Sequence, residues 1–512
     1  MRNETRYTDT RGLGRTRPTF TRALVKGIAP GGGLFVPVEL PQLTMYEILA
    51  FSQWPYWRRA AAVFSRLGVD IADERVDALM REAYGDQWDD ERIAPVVEVR
   101  PDMHVLELWH GPTSAFKDMA LQCMPLFFSE SIEALRARGE AGHDFLVLVA
   151  TSGDTGKAAL EGFADRSHTG IVVFYPADGV SDIQRKQMVT QRGSNVGVFG
   201  VRGNFDDCQN AVKAAFNDAG FNDWLGSAHG LELSSANSIN WGRLLPQIVY
   251  YVSAYADMVS GGGLKPGEPM DVCVPTGNFG NILGAYYARL MGVPIDRLLC
   301  ASNENNVLSD FIASGVYDIS ARAFVTTPSP SMDILISSNL ERLLYHLAGP
   351  ERVREWMGHL ASDGRFQVDR TTFAALRELF VGDYVDNDAS LQTIKRVFDE
   401  TGYLMDPHTA VAWEVAERLR SDVPVLVVST AHWAKFGADT LKALRGIGCG
   451  AALPPEYGDL TGVQLLQRVQ ELAPDACVPR SLAELDDLPE RFTGVVDAGS
   501  EAVEQAVRDW LG

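Results

Sequence analysis

One lysine of this sequence stands where an amine could do chemistry. Lys117 belongs to the segment HGPTSAFKDMALQ, residues 110–122, which follows the strand-like HVLELW and opens an apolar-periodic helix that includes Met119 and Met124. An amine that lies near a helix N-terminus and loses part of its hydration also loses proton affinity and becomes nucleophilic. Lys117 could therefore form a Schiff base with a carbonyl compound, although a surface lysine at the start of a helix would show the same pattern.

Two glycine-rich turns follow strand-like runs and could bind anions. They are ATSGDTGKAAL at residues 150–160 and VPTGNFGNILGAYYA at residues 274–288. Free backbone N–H groups and the positive end of a helix dipole favour an anion at such turns, and simple N-capping is the alternative for the first. The first turn is not a P-loop, because that motif requires Gly and Ser or Thr where this chain has Thr151 and Ala158.

The segment VLVVSTAHWAKF, residues 425–436, ends a buried strand with two hydroxyl groups. The hydroxyl of Thr430 could hydrogen-bond a heterocyclic nitrogen without carrying charge, or it could cap the next helix. His432 could act as an acid or base, or it could be structural. The sequence alone leaves both pairs of alternatives open.

The segment SSANSINWGRLLPQ, residues 234–247, places Ser238, Asn240 and Arg243 at the start of a long apolar helix. A planar guanidinium beside hydroxyl and amide donors suits a phosphate group. We therefore expect these side chains to contact phosphate, with a solvent-facing arginine as the alternative.

The composition places these segments in a large globular protein. Of 512 residues, 46% are hydrophobic and 22% charged, and at about 100–200 residues per domain the length suggests two to four domains. The formal net charge of −21 argues against nucleic-acid binding.

Six scattered cysteines without a C-x-x-C pair favour buried thiols in a reducing compartment and no metal site. With no signal-peptide core and no apolar run near the roughly 20 residues of a membrane span, we expect a cytoplasmic protein without a membrane partner.

The elements that must position these segments alternate along the chain from about residue 96. Continuous β-branched runs indicate strands at 145–150, 170–176, 196–201, 270–275 and 423–430. Helical periodicity indicates helices at 205–219, 241–258, 281–291 and 408–420. Apolar strands that alternate with helices favour parallel strands buried on both faces, and ligand sites of such folds gather at the carboxyl ends of the strands.

The same pass along the chain divides it into three predicted parts. Residues 1–95 form a mostly helical N-terminal domain, and residues 96–450 form a doubly wound α/β core of two subdomains that carries every candidate residue. Residues 451–512 are acidic and mixed in pattern, and we expect a small C-terminal appendage.

The segments HGPTSAFKD, ATSGDTGKAA, SINWGRLLPQ, PTGNFGN and STAHWAKF, in this order and spacing, resemble threonine synthase. That family belongs to the fold type II pyridoxal-phosphate enzymes. The stretches VSDIQRKQMVTQ at 180–191 and SPSMDILISSNLERLL at 329–344 are also similar, and the resemblance covers most of residues 7–445. It implies two parallel or mixed-sheet α/β domains with a helical N-terminal domain, and pyridoxal 5'-phosphate bound within 96–450.

Carried over by position, the resemblance implies a role for each candidate residue. Lys117 would be the Schiff-base lysine and the catalytic base. The cofactor would also contact the backbone amides of Gly277, Asn278, Phe279, Gly280 and Asn281, and its pyridine nitrogen would face the hydroxyl of Thr430. The substrate carboxylate would meet Thr151, Ser152, Asp154 and Thr155, and the substrate phosphate would meet Ser238, Asn240 and Arg243.

The implied reaction converts O-phospho-L-homoserine and water to L-threonine and phosphate, in an enzyme that is a monomer or a homodimer. The alternative is a related fold type II lyase that gives 2-oxobutanoate, either an O-phosphohomoserine phospho-lyase or a threonine or serine dehydratase. The segment AFKD and Thr430 disfavour a dehydratase, because that family usually has Ser or Cys at the latter position. A non-catalytic metabolite-binding protein of the same fold would be expected to lose the lysine or an anion turn, and none is lost here.

Overall fold

The computed structural model describes residues 4–512, so the first three residues of the predicted N-terminal domain, 1–95, lie outside the described residues. Within that range the strands are β1 (Tyr7–Asp9), β2 (Phe35–Pro37), β3 (Val96–Arg100), β4 (Met103–Glu107), β5 (Asp144–Ala150), β6 (Thr169–Pro176), β7 (Val196–Arg202), β8 (Leu231–Ser234), β9 (Met270–Pro275), β10 (Ile295–Ser302), β11 (Val316–Asp318), β12 (Arg365–Gln367), β13 (Phe380–Tyr384), β14 (Val425–Ser429) and β15 (Val495–Asp497). The α-helices are α1 (Phe20–Lys26), α2 (Met45–Ala50), α3 (Tyr56–Arg66), α4 (Asp73–Ala83), α5 (Asp118–Leu121), α6 (Met124–Ala137), α7 (Asp154–Phe163), α8 (Asp182–Val189), α9 (Phe205–Asn217), α10 (Ala219–Trp224), α11 (Trp241–Ser260), α12 (Gly280–Leu290), α13 (Val307–Ser314), α14 (Leu340–Ala348), α15 (Pro350–Asp363), α16 (Arg370–Leu379), α17 (Asn387–Thr401), α18 (Pro407–Arg418), α19 (Gly437–Arg445), α20 (Gly462–Leu472), α21 (Arg480–Ala483) and α22 (Ser500–Leu511).

Two sheets form the centre of the molecule. The larger has the strand order β13-β10-β9-β14-β4-β3, in which every neighbouring pair is parallel except β3 with β4. The second has the order β15-β7-β6-β5-β8 and is parallel throughout. The five strands predicted from sequence are β5, β6, β7, β9 and β14, so the predicted α/β core with parallel and mixed sheets is confirmed.

Burial on both faces explains why these strands are continuously apolar. All five residues of β14 and all six of β9 are buried, as a parallel strand covered by helices on both sides requires. The 20-residue helix α11 is buried along nearly its whole length and packs against α2, α3, α5 and α12. It is therefore a core helix, and no helix within residues 4–512 is both long and apolar enough to cross a bilayer.

The terminal segments pack directly onto this core. In the N-terminal part, β1 and β2 pair antiparallel, α1 packs against α6, and α2 and α3 pack against α11. In the C-terminal part, β15 pairs with β7 at the edge of the five-stranded sheet and α22 packs against α9. Trp510 of α22 also contacts the edge of the sheet, because its Nε1 donates to the carbonyl of Val196 in β7 at 3.1 Å.

Four strand ends lead into the segments that hold the candidate residues. The loop after β4 contains Lys117, β5 leads into residues 151–156, β9 leads into residues 277–281, and β14 leads into Thr430. In open parallel sheets such carboxyl ends border the ligand crevice. The fold therefore assembles one site from segments that are far apart in sequence.

Helices α5 and α7 approach each other closely at Gly162. A Cβ atom at this position would overlap the backbone carbonyl oxygen of Leu121, and no side-chain rotation could relieve that overlap. Because α5 follows Lys117 directly and α7 begins within the turn 151–156, this glycine sets the spacing between two parts of the site.

We expect Gly162→Ala to lower the free energy of unfolding by about 1–3 kcal/mol, the usual effect of an added methyl group in a close-packed core. The matched control is Gly358→Ala in α15, where an added Cβ meets no atom within 4 Å. There alanine should raise stability by up to about 1 kcal/mol, because it is the better helix former. Chemical denaturation of both variants tests this, and equal midpoints would contradict the proposed close approach.

Candidate active site

Lys117 lies just before α5, on a loop that two backbone hydrogen bonds join to the segment after β14. The N–H of Phe116 donates to the carbonyl of Thr430 at 2.8 Å, and the N–H of His432 donates to the carbonyl of Ser114 at 3.1 Å. These bonds hold Lys117 beside Thr430. Thr430 is buried, and its hydroxyl hydrogen-bonds to no group within residues 4–512.

The aspartate that follows Lys117 shapes this loop. Asp118 is buried, and its carboxylate accepts hydrogen bonds from the N–H and the hydroxyl of Thr113, both at 2.8 Å. Burial raises the pKa of Asp118 to about 7 despite these bonds. A Cβ atom at Gly111 would lie only 2.6 Å from Asp118, so the loop closes tightly over the carboxyl group.

The Lys117 amine is held in an environment that disfavours its charge. Burial, with smaller contributions from the nearby cations Arg243 and Lys435, lowers the pKa of Lys117 to about 8, while Asp154 opposes this shift. Its Nζ lies 5.1 Å from the centre of the Phe116 ring, and it forms no hydrogen bond or ion pair with any residue from 4 to 512. The amine is therefore free to react, and near neutral pH a useful fraction of it is unprotonated.

The turn 277–281 presents backbone donors without acceptors. None of its five N–H groups has an acceptor within the described part of the chain, whereas the carbonyls of Gly277 and Asn278 accept from residues 337 and 339. Phe279 holds a left-handed φ of 62°, a conformation that non-glycine residues adopt mainly where a site requires it. Gly280 then begins α12, so the positive end of this helix adds to the free amides.

A side-chain donor adds to this turn. Asn281 is buried, and its Oδ1 accepts from the hydroxyl of Tyr250 at 2.5 Å and from the hydroxyl of Tyr251 at 2.6 Å. Its Nδ2 is buried without a partner among residues 4–512. The two tyrosines thus orient the side-chain amide of Asn281 so that its Nδ2 remains a free donor beside the unbonded backbone N–H groups of the turn. This arrangement fits a phosphate group, which has only acceptors to offer.

The turn 151–156 forms a second group of free donors. The hydroxyl of Thr151 accepts from the N–H groups of Gly153 at 3.0 Å and Gly156 at 2.8 Å, which fixes the turn from within. The N–H groups of residues 152, 154 and 155 have no acceptor within residues 4–512. The side chains of Ser152 and Thr155 form no hydrogen bond in that range either. This turn can therefore bind a carboxylate or phosphate oxygen.

The side chain of Asp154 is committed elsewhere. Its Oδ1 accepts from Lys435 Nζ and from Gln184 Nε2, both at 2.9 Å, and its Oδ2 accepts from Ser331 Oγ at 3.2 Å. Burial alone would raise the pKa of this carboxyl, but Lys435 and Gln184 outweigh burial and hold the pKa below its usual range. Asp154 thus stays ionised, and only its N–H remains available to an anion.

The three residues expected at a phosphate separate into different environments. Asn240 uses both atoms of its amide, donating to the carbonyl of Leu24 and accepting from the N–H of Gly242, each at 2.9 Å, so it caps α11. Ser238 contacts the hydroxyl of Ser338 at 3.3 Å, and Ser338 donates to Asn278 at 3.2 Å. Ser238 therefore lies beside the turn 277–281.

Arg243 is a buried cation without a counter-ion. Its Nη1 donates to the carbonyl of Ala236 at 2.6 Å, its Nε is unbonded, and no carboxylate of residues 4–512 pairs with it. Burial lowers the pKa of Arg243 to about 10, so the guanidinium remains charged at neutral pH. A buried charge of this kind is costly unless an anion joins it.

His432 caps a short helical turn, which favours the structural role of the two alternatives that the sequence leaves open. Its Nδ1 accepts from the N–H of Ala434 at 3.1 Å, at the start of a short helical turn. Burial, with smaller contributions from His110 and Lys435, lowers the pKa of His432 to about 3, so the ring is neutral. A neutral imidazole that is already an acceptor is poorly suited to donate a proton.

Sequence reasoning missed the three groups that hold Asp154. Gln184 and Ser331 lie in the segments 180–191 and 329–344, which stand out in the sequence only through their resemblance to a family. Gln184 carried a local signal, since S-x-x-Q from Ser181 is a capping box, and that box is present. Lys435 also carried one, because a lysine within an otherwise apolar segment after a buried strand is unusual.

Comparison with known proteins gives the class of this chain. Residues 95–431 match the family described as Pyridoxal-phosphate dependent enzyme. Residues 6–84 match Threonine synthase N terminus, and residues 409–507 match Threonine synthase, C-terminal. The fold is that of a fold type II pyridoxal-phosphate-dependent enzyme, and pyridoxal phosphate is its cofactor.

Individual relatives narrow the class. Threonine synthase-like 1 of Homo sapiens is 43% identical over 437 residues, which make up 83% of this chain but only 58% of that protein. Threonine synthase of Pseudomonas aeruginosa is 38% identical over 460 residues, which make up 89% of this chain and 93% of that protein. The crystal structure of PLP-bound threonine synthase from Brucella melitensis has a TM-score of 0.83 at 37% identity and covers 99% of both chains. That of yeast threonine synthase has a TM-score of 0.85 at 33% identity and covers 99% of this chain and 98% of that one. This chain belongs to the threonine synthase family.

The tyrosine pair at Asn281 generates a prediction about cofactor affinity. Replacing both Tyr250 and Tyr251 with Phe removes the bonds that orient Asn281, at about 0.5–1.5 kcal/mol each, and should weaken pyridoxal phosphate binding roughly 5- to 100-fold. Tyr255→Phe is the matched control, since this hydroxyl on the same helix donates to the carbonyl of Glu268 at 3.0 Å. Equilibrium binding to the apoprotein measures the effect. Affinity of the double variant within twofold of the unmodified protein would refute the orienting role.

Proposed function

We propose that this chain is a threonine synthase that converts O-phospho-L-homoserine and water to L-threonine and phosphate. One observation carries the proposal: the Lys117 amine interacts electrostatically with a buried Arg243 that has no counter-ion and with Asp154 of the turn 151–156. The turn 277–281, which follows a strand of the same sheet as the Lys117 loop, presents further unbonded backbone amides. A cofactor phosphate, a substrate carboxylate and a substrate phosphate are three anions, and the site offers three groups of donors. The similarity to threonine synthases over nearly the whole chain supports the same substrate.

The residues present fit pyridoxal phosphate. Lys117 would hold its aldehyde carbon, the amides of residues 277–281 and Asn281 Nδ2 would hold its phosphate, and Thr430 would face its ring nitrogen. When bound, the cofactor supplies an electron sink for the carbon atoms next to the substrate amine. The hydroxyl of Thr430 carries no charge, so it would leave the ring nitrogen unprotonated and moderate that sink.

Lys117 would move the protons of the reaction. Its pKa of about 8 means that a released amine can take the proton from the substrate α-carbon near neutral pH. The same Nζ would then carry protons to and from the β-carbon. Phosphate leaves from the γ-carbon, and water adds its hydroxyl at the β-carbon, so the atoms of substrate and water are all found in threonine and phosphate.

The two ends of the substrate would be held by different parts of the site. The N–H groups of residues 152, 154 and 155, with the hydroxyls of Ser152 and Thr155, would bind the substrate carboxylate, while Thr151 shapes this turn. Ser238 and Arg243 would bind the substrate phosphate. Since both amide atoms of Asn240 are committed, its part in the proposal is to start the helix that carries Arg243.

We further propose a domain organisation, an oligomeric state and a cellular location for this chain. The chain would comprise an N-terminal domain (1–95), a cofactor-binding core (96–450) and a C-terminal appendage (451–512), acting as a monomer or homodimer in the cytoplasm. All six cysteines are unpaired, which suits a reducing compartment.

Product analysis tests the function directly. Purified holoprotein with O-phospho-L-homoserine should release phosphate and L-threonine in equal amounts, and Lys117→Ala should abolish both products and the visible absorbance of the bound cofactor. Lys265→Ala, at a lysine with an 84% exposed side chain, is the control and should change neither. Release of 2-oxobutanoate in place of threonine would establish a phospho-lyase, and absence of both products would overturn the proposal.

A further inference from the structure

Lys435 is a fully buried lysine that joins three parts of the site. Its side chain has 0% exposure, and it lies in the short helical turn Trp433–Phe436 that follows β14 and Thr430. Its Nζ pairs with Asp154 Oδ1 at 2.9 Å and donates to the carbonyl of Thr113 at 2.8 Å. Thr113 belongs to the Lys117 loop, so one ammonium group contacts the Lys117 loop, the turn 151–156 and the segment after β14.

The ion pair between Lys435 and Asp154 lies between the two sheets of the core. Asp154 follows a strand of the five-stranded sheet, whereas Lys435 and Thr113 follow strands of the six-stranded sheet. The pair therefore crosses from one half of the core to the other. Burying an ion pair costs several kcal/mol in lost hydration, and apolar side chains of similar size often stabilise a fold equally well. A buried pair at this place therefore points to a role in the site.

The charge of Asp154 must be neutralised if the turn 151–156 is to bind a carboxylate. Asp154 stands at the turn that would receive the substrate carboxylate, and a free carboxylate there would repel a second one. Lys435, Gln184 and Ser331 take up the oxygens of Asp154, so the backbone amides of the turn are the groups left for a ligand. The bond from Lys435 to Thr113 simultaneously fixes the distance between this turn and the Lys117 loop.

We propose that Lys435 is a positioning residue, which neutralises Asp154 and ties the carboxylate-binding turn to the loop that carries the reactive lysine. This inference rests on the proposed function for the identity of the bound carboxylate. It assigns Lys435 no contact with the substrate, so its effect is exerted through Asp154.

Variants of Lys435 and Asp154 test the inference through binding of L-threonine to the holoprotein, followed by the absorbance of the cofactor. Lys435→Met removes the charge at similar length and should weaken L-threonine binding at least 10-fold, because Asp154 is left uncompensated. Adding Asp154→Asn should recover much of that loss, since the repelling charge is gone. Lys442→Met on α19 is the control, because its Nζ donates to the carbonyl of Cys449 at 2.9 Å, outside these segments. The inference is overturned if the double variant weakens L-threonine binding by the product of the two single effects. It is also overturned if Lys435→Met binds L-threonine within twofold of the unmodified protein.

A second readout is independent of the substrate. Capture of pyridoxal phosphate by the apoprotein requires an unprotonated Lys117, so its rate should rise with pH to a midpoint near the Lys117 pKa of about 8. Lys435 lowers the pKa of Lys117 and Asp154 raises it. Because Lys435→Met removes this cation and leaves Asp154 without its counter-ion, the midpoint should move to higher pH. An unchanged midpoint contradicts the positioning role. If the unmodified protein forms no threonine while Lys435→Met still shifts the midpoint, the proposed function fails and the positioning role stands.

Discussion

The site depends on buried hydrogen-bond donors that the protein itself leaves unsatisfied. A buried donor without a partner costs about 1–3 kcal/mol, and a charged one more, so such groups accumulate only where a ligand completes them. Here the backbone amides of residues 277–281, 152, 154 and 155 and the Nε of Arg243 have no acceptor within residues 4–512. An unprotonated Lys117 fits the same environment, because positive charge is already in excess there.

Distant parts of the chain keep these donors in place. The N-terminal segment takes part through Arg342, whose Nε donates to the carbonyl of Phe35 at 2.9 Å and whose Nη1 contacts Asn339. Asn339 in turn donates to the carbonyl of Asn278, within the turn that carries free amides. At the other end, Glu490 pairs at 2.7 Å with α8, the helix that carries Gln184. Each terminal segment therefore contacts an element that in turn contacts a turn of the site.

Much of this arrangement could be predicted from sequence because its signals are local. Strand runs such as 270–275, the glycine-bracketed turn after them and Lys117 ahead of an apolar helix each lie within a dozen residues. The pairing of residues distant in sequence leaves no such signal, even where a residue such as Lys435 is locally unusual. The pairing of Lys435 with Asp154 and the bond from Asn240 to the carbonyl of Leu24 depend on which segments the fold brings together, and single-sequence patterns do not encode that.

The most direct test of the central claim is a crystal structure of this protein with bound pyridoxal phosphate. The account predicts phosphate oxygens within hydrogen-bonding distance of the backbone amides of residues 277–281 and of Asn281 Nδ2. It also predicts a covalent bond from the aldehyde carbon to Lys117 Nζ, with the ring nitrogen facing Thr430. A cofactor phosphate bound away from that turn, or a cofactor unattached to Lys117, would contradict it.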